Sequence, residues 1–140
     1  MSKVAVVYWS GTGNTKIMAD AAADGAMGKG AEVSVIEAAD FGKDQLDAFD
    51  GIAFGCPAMG SEVLEEDVFE PMFADVETAL SGKKIALFGS YGWGDGEWMR
   101  DWEDRCRQAG ADLAADSVMA NDAPDDAAVA ACQALGAALA

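Results

Sequence analysis

The chain has 140 residues, 25 acidic against 9 basic side chains, a formal net charge of −16 and no histidine. This length predicts one domain, 1–140, with a substantial core. The charge argues against nucleic acid as a partner, and it fits either steered encounter with basic proteins or a general solubility bias. With no secretory leader and no apolar stretch of membrane-spanning length, we expect a cytoplasmic protein that does not enter membranes.

The cysteines provide no metal site. Cys56, Cys106 and Cys132 are scattered along the chain, whereas zinc sites and iron–sulfur clusters need about four patterned ligands. An odd, scattered set in a cytosolic chain also argues against disulfides. We therefore expect three buried structural thiols and no metal.

Strand and helix signals alternate from the N-terminus onward. The predicted strands are 4–8, 32–36, 51–55, 84–89 and an uneven 112–119. The predicted helices are 14–27, 69–80, 97–109 and a C-terminal alanine-rich segment that reaches about residue 139. This alternation predicts a parallel sheet covered on both faces, with ligands beyond the carboxyl ends of the strands. Three loops rich in glycine, hydroxyl or aromatic residues follow the carboxyl ends of predicted strands: 9–15, 56–62 and 90–96.

The first loop joins strand one to helix one and is rich in hydroxyl groups. Its central residues are Ser10, Gly11, Thr12, Gly13, Asn14 and Thr15. A strand that turns through glycines into a helix directs backbone N–H groups at one point, which favours a phosphate. The loop is not a Walker A motif, and Lys16 stands where a dinucleotide fingerprint needs its third glycine. We expect a site for a terminal phosphate monoester; the alternative is a plain strand–helix turn.

The second loop contains Ala58, Met59, Gly60, Ser61 and Glu62. The Met59 thioether is polarizable enough to lie against an aromatic ring, or it packs beneath the loop. Gly60 permits backbone conformations that other residues avoid. Glu62 either accepts a hydrogen bond from a ring N–H group or is solvated.

The third loop contains Ser90, Tyr91, Gly92, Trp93, Gly94, Asp95 and Gly96. A tryptophan between glycines has little local core, so we expect Trp93 to contact a flat ligand; the alternative is a neighbouring helix. Trp98 and Trp102 follow at helical spacing and are expected to be ordinary packing. The three loops together predict a site that holds a flat phosphorylated cofactor. No nucleophile–base pair accompanies it, so no catalytic residue is assigned.

The motifs at 8–15, 55–62 and 88–96 resemble those of flavodoxins, specifically the short-chain type from anaerobic bacteria. The resemblance covers essentially the entire chain. It implies an α/β three-layer sandwich, with a five-stranded parallel sheet in the order 2-1-3-4-5 and one noncovalently bound FMN. It also implies a low-potential one-electron carrier rather than an enzyme. Such a carrier would be a monomer that serves basic docking faces of reductases and ferredoxin-type oxidoreductases.

The resemblance also implies roles for individual residues. Met59 would cover the inner face of the isoalloxazine ring and Trp93 the outer face. Glu62 would accept from the ring N3–H, and Gly60 would carry the peptide that turns over on one-electron reduction. The phosphate contacts would come from Ser10, Thr12, Asn14 and Thr15. The full expected contact set is Ser10, Gly11, Thr12, Gly13, Asn14, Thr15, Ala58, Met59, Gly60, Ser61, Glu62, Ser90, Tyr91, Gly92, Trp93 and Gly96.

Some positions depart from the family pattern. Lys16 stands where many relatives carry an acid, Pro57 offers no hydroxyl group, and Ser61 replaces an aspartate. The loop 121–124 resembles the last flavin-flanking loop, but its contacts are not assigned.

Acidic residues surround the expected site, and no lysine or arginine lies in 56–68 or 90–97. The acids are Glu62, Glu65, Glu66, Asp67, Asp95 and Glu97. They are expected to lower the second reduction potential of a flavin by charge repulsion.

Two other functions fit less well. An FMN-dependent reductase on the same fold usually needs a second substrate pocket, for which 140 residues leave no spare segment. A phosphoacceptor receiver domain needs an acidic pair after strand one and an aspartate at the end of strand three. Those positions hold Trp9-Ser10 and Gly55-Cys56.

Overall fold

The structure is a computed structural model that describes residues 2–60, 62–92 and 94–140. Strands and helices alternate through most of these ranges. The strands are β1 (Lys3–Tyr8), β2 (Glu32–Glu37), β3 (Gly51–Gly55), β4 (Lys84–Tyr91), β5 (Asp112–Leu113) and β6 (Val118–Asn121). The helices are α1 (Asn14–Gly28), α2 (Phe69–Glu77), α3 (Glu97–Gln108) and α4 (Asp126–Leu139), and two 3-10 helices, Ala38–Asp40 and Lys43–Ala48, connect β2 to β3.

All strand pairs are parallel, and the sheet order is β2-β1-β3-β4-β5, with β6 also beside β4. The predicted order is therefore confirmed. In the register, Tyr8 lies beside Gly55 and Gly55 beside Phe88. The chain consequently leaves β1 and β3 at the same edge, and the loops that follow meet there.

Two strand boundaries differ from the prediction. β4 continues through Ser90 and Tyr91, because these residues pair with β6. The fifth strand position is filled by β5 and then β6, with a break between them. Alanine and aspartate favour strands weakly, and in the break the Ser117 hydroxyl turns to Glu103 Oε2 on α3, 2.7 Å away. Helix α2 also ends at Glu77, three residues before the predicted end.

The two faces of the sheet are packed differently. Large aromatic residues fill the core that includes α2 and α3, among them Phe54, Phe69, Phe73, Trp98 and Trp102. Alanines dominate the core that includes α1 and α4. A Cβ on Gly25 or Gly136 would lie 1.8 Å from a backbone oxygen of the other helix, so these glycines let α1 and α4 approach closely.

The three cysteines are buried and free, as expected for structural thiols. Burial raises the pKa of Cys106 and of Cys132 to about 12, which keeps both thiols protonated at neutral pH. In the described ranges, no group of three or more His, Cys, Asp or Glu side chains is placed to hold a metal ion. Of the helices that the structure describes, none has the length and apolar character needed to cross a membrane.

Candidate functional site

A cleft of about 220 Å³ lies at the carboxyl edge of the sheet, between the loops that follow β1, β3, β4 and β6. It is lined by Trp9, Gly11, Thr12, Asn14, Pro57, Ala58, Met59, Ser90, Tyr91, Gly92 and Asp122. Backbone hydrogen bonds from Cys56 N to Phe88 O (3.1 Å) and from Ala58 N to Ser90 O (3.0 Å) extend the β3–β4 pairing up to the cleft. The cleft walls are therefore continuations of the sheet.

The loop after β1 is held in shape by its own hydrogen bonds. The Ser10 hydroxyl accepts from Gly13 N–H at 3.0 Å, and the Thr12 hydroxyl lies 3.4 Å from Asn14 N. Gly13 has a φ of 97°, a left-handed conformation that favours glycine. A Cβ on Gly11 would lie 3.0 Å from the Trp9 ring, so the loop also needs a small residue there.

The start of α1 leaves hydrogen-bond donors free. Within the described residues, the backbone N–H groups of Thr15 and Lys16 have no hydrogen-bond partner, and no side chain caps the helix. Thr15 and Ser90 are both buried, and their hydroxyl groups are 3.1 Å apart. Free N–H groups at a helix N-terminus favour an anion such as a phosphate.

The one cation next to this loop along the chain is already paired. Lys16 Nζ lies 3.1 Å from Asp20 Oδ2 and stands over the Tyr8 ring. Its hydrogen bond to Asp20 raises the pKa of Lys16, so the ammonium stays charged and engaged. The donors that the loop offers to an anion are therefore neutral.

An antiparallel bridge between Met59 and Val63 follows β3, and Met59 also lines the cleft. Met59 and Val63 exchange two backbone hydrogen bonds, of 2.8 and 3.1 Å. Gly60 has a φ of 48° and Glu62 a φ of 55°. A left-handed φ is rare for a residue with a side chain, so Glu62 is fixed by its surroundings.

The Glu62 carboxylate reaches the start of α3. Its Oε1 atom accepts from Asp95 N–H at 3.2 Å and from Gly96 N–H at 3.3 Å. A Cβ on Gly94 would lie 2.1 Å from this oxygen, so glycine is needed there. Hydrogen bonding to Glu62, followed by repulsion from Asp101, raises the pKa of Glu97. Two acidic side chains thus share this end of the site.

Two of the acids expected around the site have hydrogen-bond or ionic partners. Glu65 accepts three backbone N–H bonds, each 2.8 Å, at the start of α2. Burial by itself would raise the pKa of Glu65, but these bonds outweigh it and lower the pKa. Asp95 is paired with Arg100 at 3.0 Å, a cation that folds back from α3. Glu65 therefore caps α2 and stays charged, whereas Arg100 brings a positive charge to this end of the site.

The structure brings most of the predicted residues together. Those that line the cleft are Gly11, Thr12, Asn14, Ala58, Met59, Ser90, Tyr91 and Gly92. Ser10, Gly13 and Thr15 support the loop after β1, whereas Gly60, Glu62 and Gly96 lie outside the lining. Ser61 and Trp93 lie outside the described residues. Trp98 is buried and donates from Nε1 to Cys56 O at 3.2 Å, which confirms that it is packing.

The predicted contact set omitted three lining residues, Trp9, Pro57 and Asp122. Trp9 and Pro57 were detectable, since both follow a buried strand at its carboxyl end. Asp122 follows β6, whose position depended on where the fifth strand resumed. It has a φ of 57° and donates its N–H to Tyr91 O at 2.7 Å. That turn brings Asp122 to the cleft.

Comparison with known proteins agrees with the fold and the cleft. Residues 6–134 match the family model described as Flavodoxin. The chain is 48% identical to a flavodoxin of Clostridium beijerinckii over 122 residues, covering 87% of this chain and 88% of that protein. It is 47% identical to a flavodoxin of Megasphaera elsdenii over 124 residues, covering 89% and 90%. The solution structure of two-electron reduced Megasphaera elsdenii flavodoxin superposes with a TM-score of 0.90 at 46% identity, covering 97% of each chain.

The family match and these relatives assign the chain to the flavin-binding electron carriers rather than to the enzymes. The chain belongs to the flavodoxin family. It is an FMN-binding electron-transfer protein, and it therefore works with redox partners. The alternative of an FMN-dependent reductase is not favoured.

Proposed function

We propose that the cleft holds FMN with its phosphate in the loop after β1 and its ring between the loops after β3 and β4. The observation that carries this orientation is the buried Thr15–Ser90 hydroxyl pair at the first turn of α1, where the backbone N–H groups of Thr15 and Lys16 are free among the described residues. Ser10, Thr12 and Asn14 complete the polar side chains of this loop.

The ring is placed at the other end of the cleft. Met59 is half-buried in the lining and offers a polarizable thioether to one ring face. Trp93 is assigned to the other face on the sequence, since it lies outside the described residues. Glu62 can accept a ring N–H while keeping its bonds to α3, because a carboxylate has about four acceptor sites. The remaining predicted contacts, Gly60, Ser61 and Gly96, surround this end.

Bound FMN supplies reversible electron transfer, and the chain supplies its environment. The bridged residues Met59 and Val63 would lie beside one side of the ring. Glu62 and Glu97 oppose further negative charge there, which supports a low potential. The left-handed conformation of Gly60 keeps the adjoining peptide free to adopt geometries closed to other residues.

The protein as proposed is a single-domain, monomeric, cytoplasmic carrier. Its partners are reductases and ferredoxin-type oxidoreductases with basic docking faces. The net charge of −16 supports this choice, since opposite charge on a partner speeds encounter.

Titration of the apoprotein with FMN and with riboflavin tests the proposed orientation. We expect the fluorescence of FMN to be quenched as it binds, up to one FMN per protein. Binding of riboflavin should be at least about a hundredfold weaker, because hydrogen bonds to a charged acceptor are each worth about 1.5–3 kcal/mol. Equal affinities would contradict the phosphate site. Steady-state oxidation of NAD(P)H by the protein alone would instead support a reductase.

A further inference from the structure

A second recessed surface lies between the edge strand β6 and the helix α4, separate from the cleft. It consists of two adjoining depressions of about 540 and 310 Å³, which share Val118, Met119 and Ala131. Met119 is 43% exposed, although methionine is an apolar residue that is usually buried. We call this surface the β6–α4 groove.

The β6–α4 groove is apolar at its floor and acidic at its rim. Ala115, Ala134 and Leu135 continue the apolar lining. Asp116 lies at one end and Asp125 at the other. From residue 108 to residue 140 the sequence contains five aspartates and no lysine or arginine. A basic partner surface with a central apolar group would match this pattern, because exposed apolar patches rimmed by charge mark interaction sites.

The β6–α4 groove is continuous with the flavin cleft. β6 contributes Met119 to the groove, and the next turn places Asp122 in the cleft lining. Met119 also lies against the start of α3, since a Cβ on Gly96 would be 2.7 Å from its sulfur atom. A protein seated in the groove would therefore stand beside the cleft, which suits electron transfer.

We propose that the β6–α4 groove is the docking surface for the basic face of a redox partner, which inserts an apolar group over Met119. The proposal rests on the proposed function, since it names where the electron-transfer partner binds. Three features of this chain support it: the apolar floor, the aspartates at both ends of the groove, and the continuity with the cleft. Arg100 lies near Met119 at the start of α3, where it is paired with Asp95.

The test uses cytochrome c as the probe, a small haem protein whose exposed haem edge is ringed by lysines. Oxidised cytochrome c is titrated into the oxidised, FMN-loaded, isotopically labelled protein at low ionic strength, and amide chemical shifts are followed. We expect the largest shifts in 118–121 and 127–135. Shifts confined to the far edge of the sheet, at β2, would overturn the proposal. Concentration-dependent shifts of the groove amides without cytochrome c would also overturn it, since they would show that a second copy binds there.

Matched variants separate groove binding from general charge. The double variant Asp116→Asn/Asp125→Asn should weaken binding of cytochrome c about 3- to 10-fold at low salt. Asp125→Asn keeps an acceptor for the N-cap bond to Ala128 N. The control Asp44→Asn/Asp47→Asn removes the same charge from exposed positions before β3 and should change binding less than about twofold. Equal effects of the two double variants would overturn the proposal.

A second pair of variants tests the apolar floor without a change of charge. Ala131→Gln should weaken binding about threefold, because the longer side chain fills the surface shared by both depressions. Ala130→Gln, at the exposed neighbouring position on α4, should have no effect. If both variants bind cytochrome c as the unchanged protein does, the floor is not part of the interface. The absorption spectrum of bound FMN checks the proposed function separately, since it is expected to be the same in every variant.

Discussion

The two ends of the cleft differ in the charge of their polar groups and in their backbone geometry. The phosphate end is held by short local hydrogen bonds, offers neutral donors, and has its nearest cation along the chain turned away to Asp20. The ring end has two residues in left-handed conformation, Gly60 and Glu62, and acidic side chains meet there at the start of α3. The first arrangement suits retention of a cofactor, whereas the second suits control of its charge.

This difference separates affinity from potential. A group that contacts the phosphate interacts equally with every redox state, because the phosphate does not change on reduction. A group near the ring interacts differently with each state. Variants at the two ends should therefore have different signatures: a changed dissociation constant at one end, and a changed reduction potential at the other.

The largest effect is expected for Thr15→Val, which removes a buried hydroxyl group with little change of shape. FMN affinity should fall about 5- to 150-fold, or about 1–3 kcal/mol, because Ser90 and the phosphate each lose a partner. Fluorescence titration measures the loss. Thr78→Val is the matched control, since its hydroxyl bonds to Asp75 O at the end of α2, and it should leave the affinity unchanged. Loss of riboflavin affinity to the same extent would contradict a phosphate contact.

Gly60→Ala should lower the first reduction potential by about 40–90 mV, because we assign the left-handed φ of Gly60 to the reduced form rather than to the oxidised form. The added Cβ disfavours left-handed backbone by about 1–2 kcal/mol, and 59 mV corresponds to a tenfold change in a one-electron couple. Among the described residues, nothing lies within 4 Å of the added Cβ, so space does not limit the substitution. A spectroelectrochemical titration measures the shift.

Gly82→Ala is the control for Gly60→Ala. Gly82 has a φ of 75° and equally open surroundings, but it precedes β4 at the opposite edge of the sheet. Both variants should lose stability, and only Gly60→Ala should shift the potential. If Gly60 kept the same φ through reduction, the strain would cancel between redox states. An unshifted potential would therefore contradict a backbone change at this residue.

Trp93→Ala should weaken binding of oxidised FMN by about 0.5–1.5 kcal/mol more than the loss of buried contact area alone would. It should also reduce the quenching of FMN fluorescence by the protein. Trp98→Ala is the comparison, because Trp98 is buried against the sheet and bonds to Cys56 O. It should lower the free energy of unfolding instead. Should Trp98→Ala lose the quenching while Trp93→Ala retains it, the assignment of the ring face is wrong.

The smallest effect is expected for Glu62→Gln, which keeps an oxygen for the N–H groups of Asp95 and Gly96. The second reduction potential should rise by tens of millivolts. A charge even about 10 Å from the ring would give roughly 70 mV at an effective dielectric of about 20 without salt, and Glu62 is proposed to lie closer. The rise should shrink as salt increases. Asp24→Asn, an exposed change on α1, should not alter the potential at about 0.3 M salt. A rise that is equally large at every salt concentration would contradict an electrostatic origin.

The sequence predicted the alternating strands and helices and the strand–loop–helix turn at 9–15, because these depend on local patterns. Apolar strands, helix-stopping glycines and hydroxyl-rich turns act over a few residues. The details that differ depend on distant contacts. The extension of β4 through Ser90 and Tyr91 needs β6 as a partner. The bonds that Glu65 accepts at the start of α2 are not visible in the sequence pattern. Arg100 likewise lies outside the local window around Asp95.

The most direct test of the separation between the two ends is a redox titration of Thr15→Val at saturating FMN. Both reduction potentials should stay within about 10 mV of those of the unchanged protein, although FMN binds about 5- to 150-fold more weakly. A shift of about 40–130 mV, the equivalent of the lost 1–3 kcal/mol, would show instead that the phosphate end distinguishes redox states.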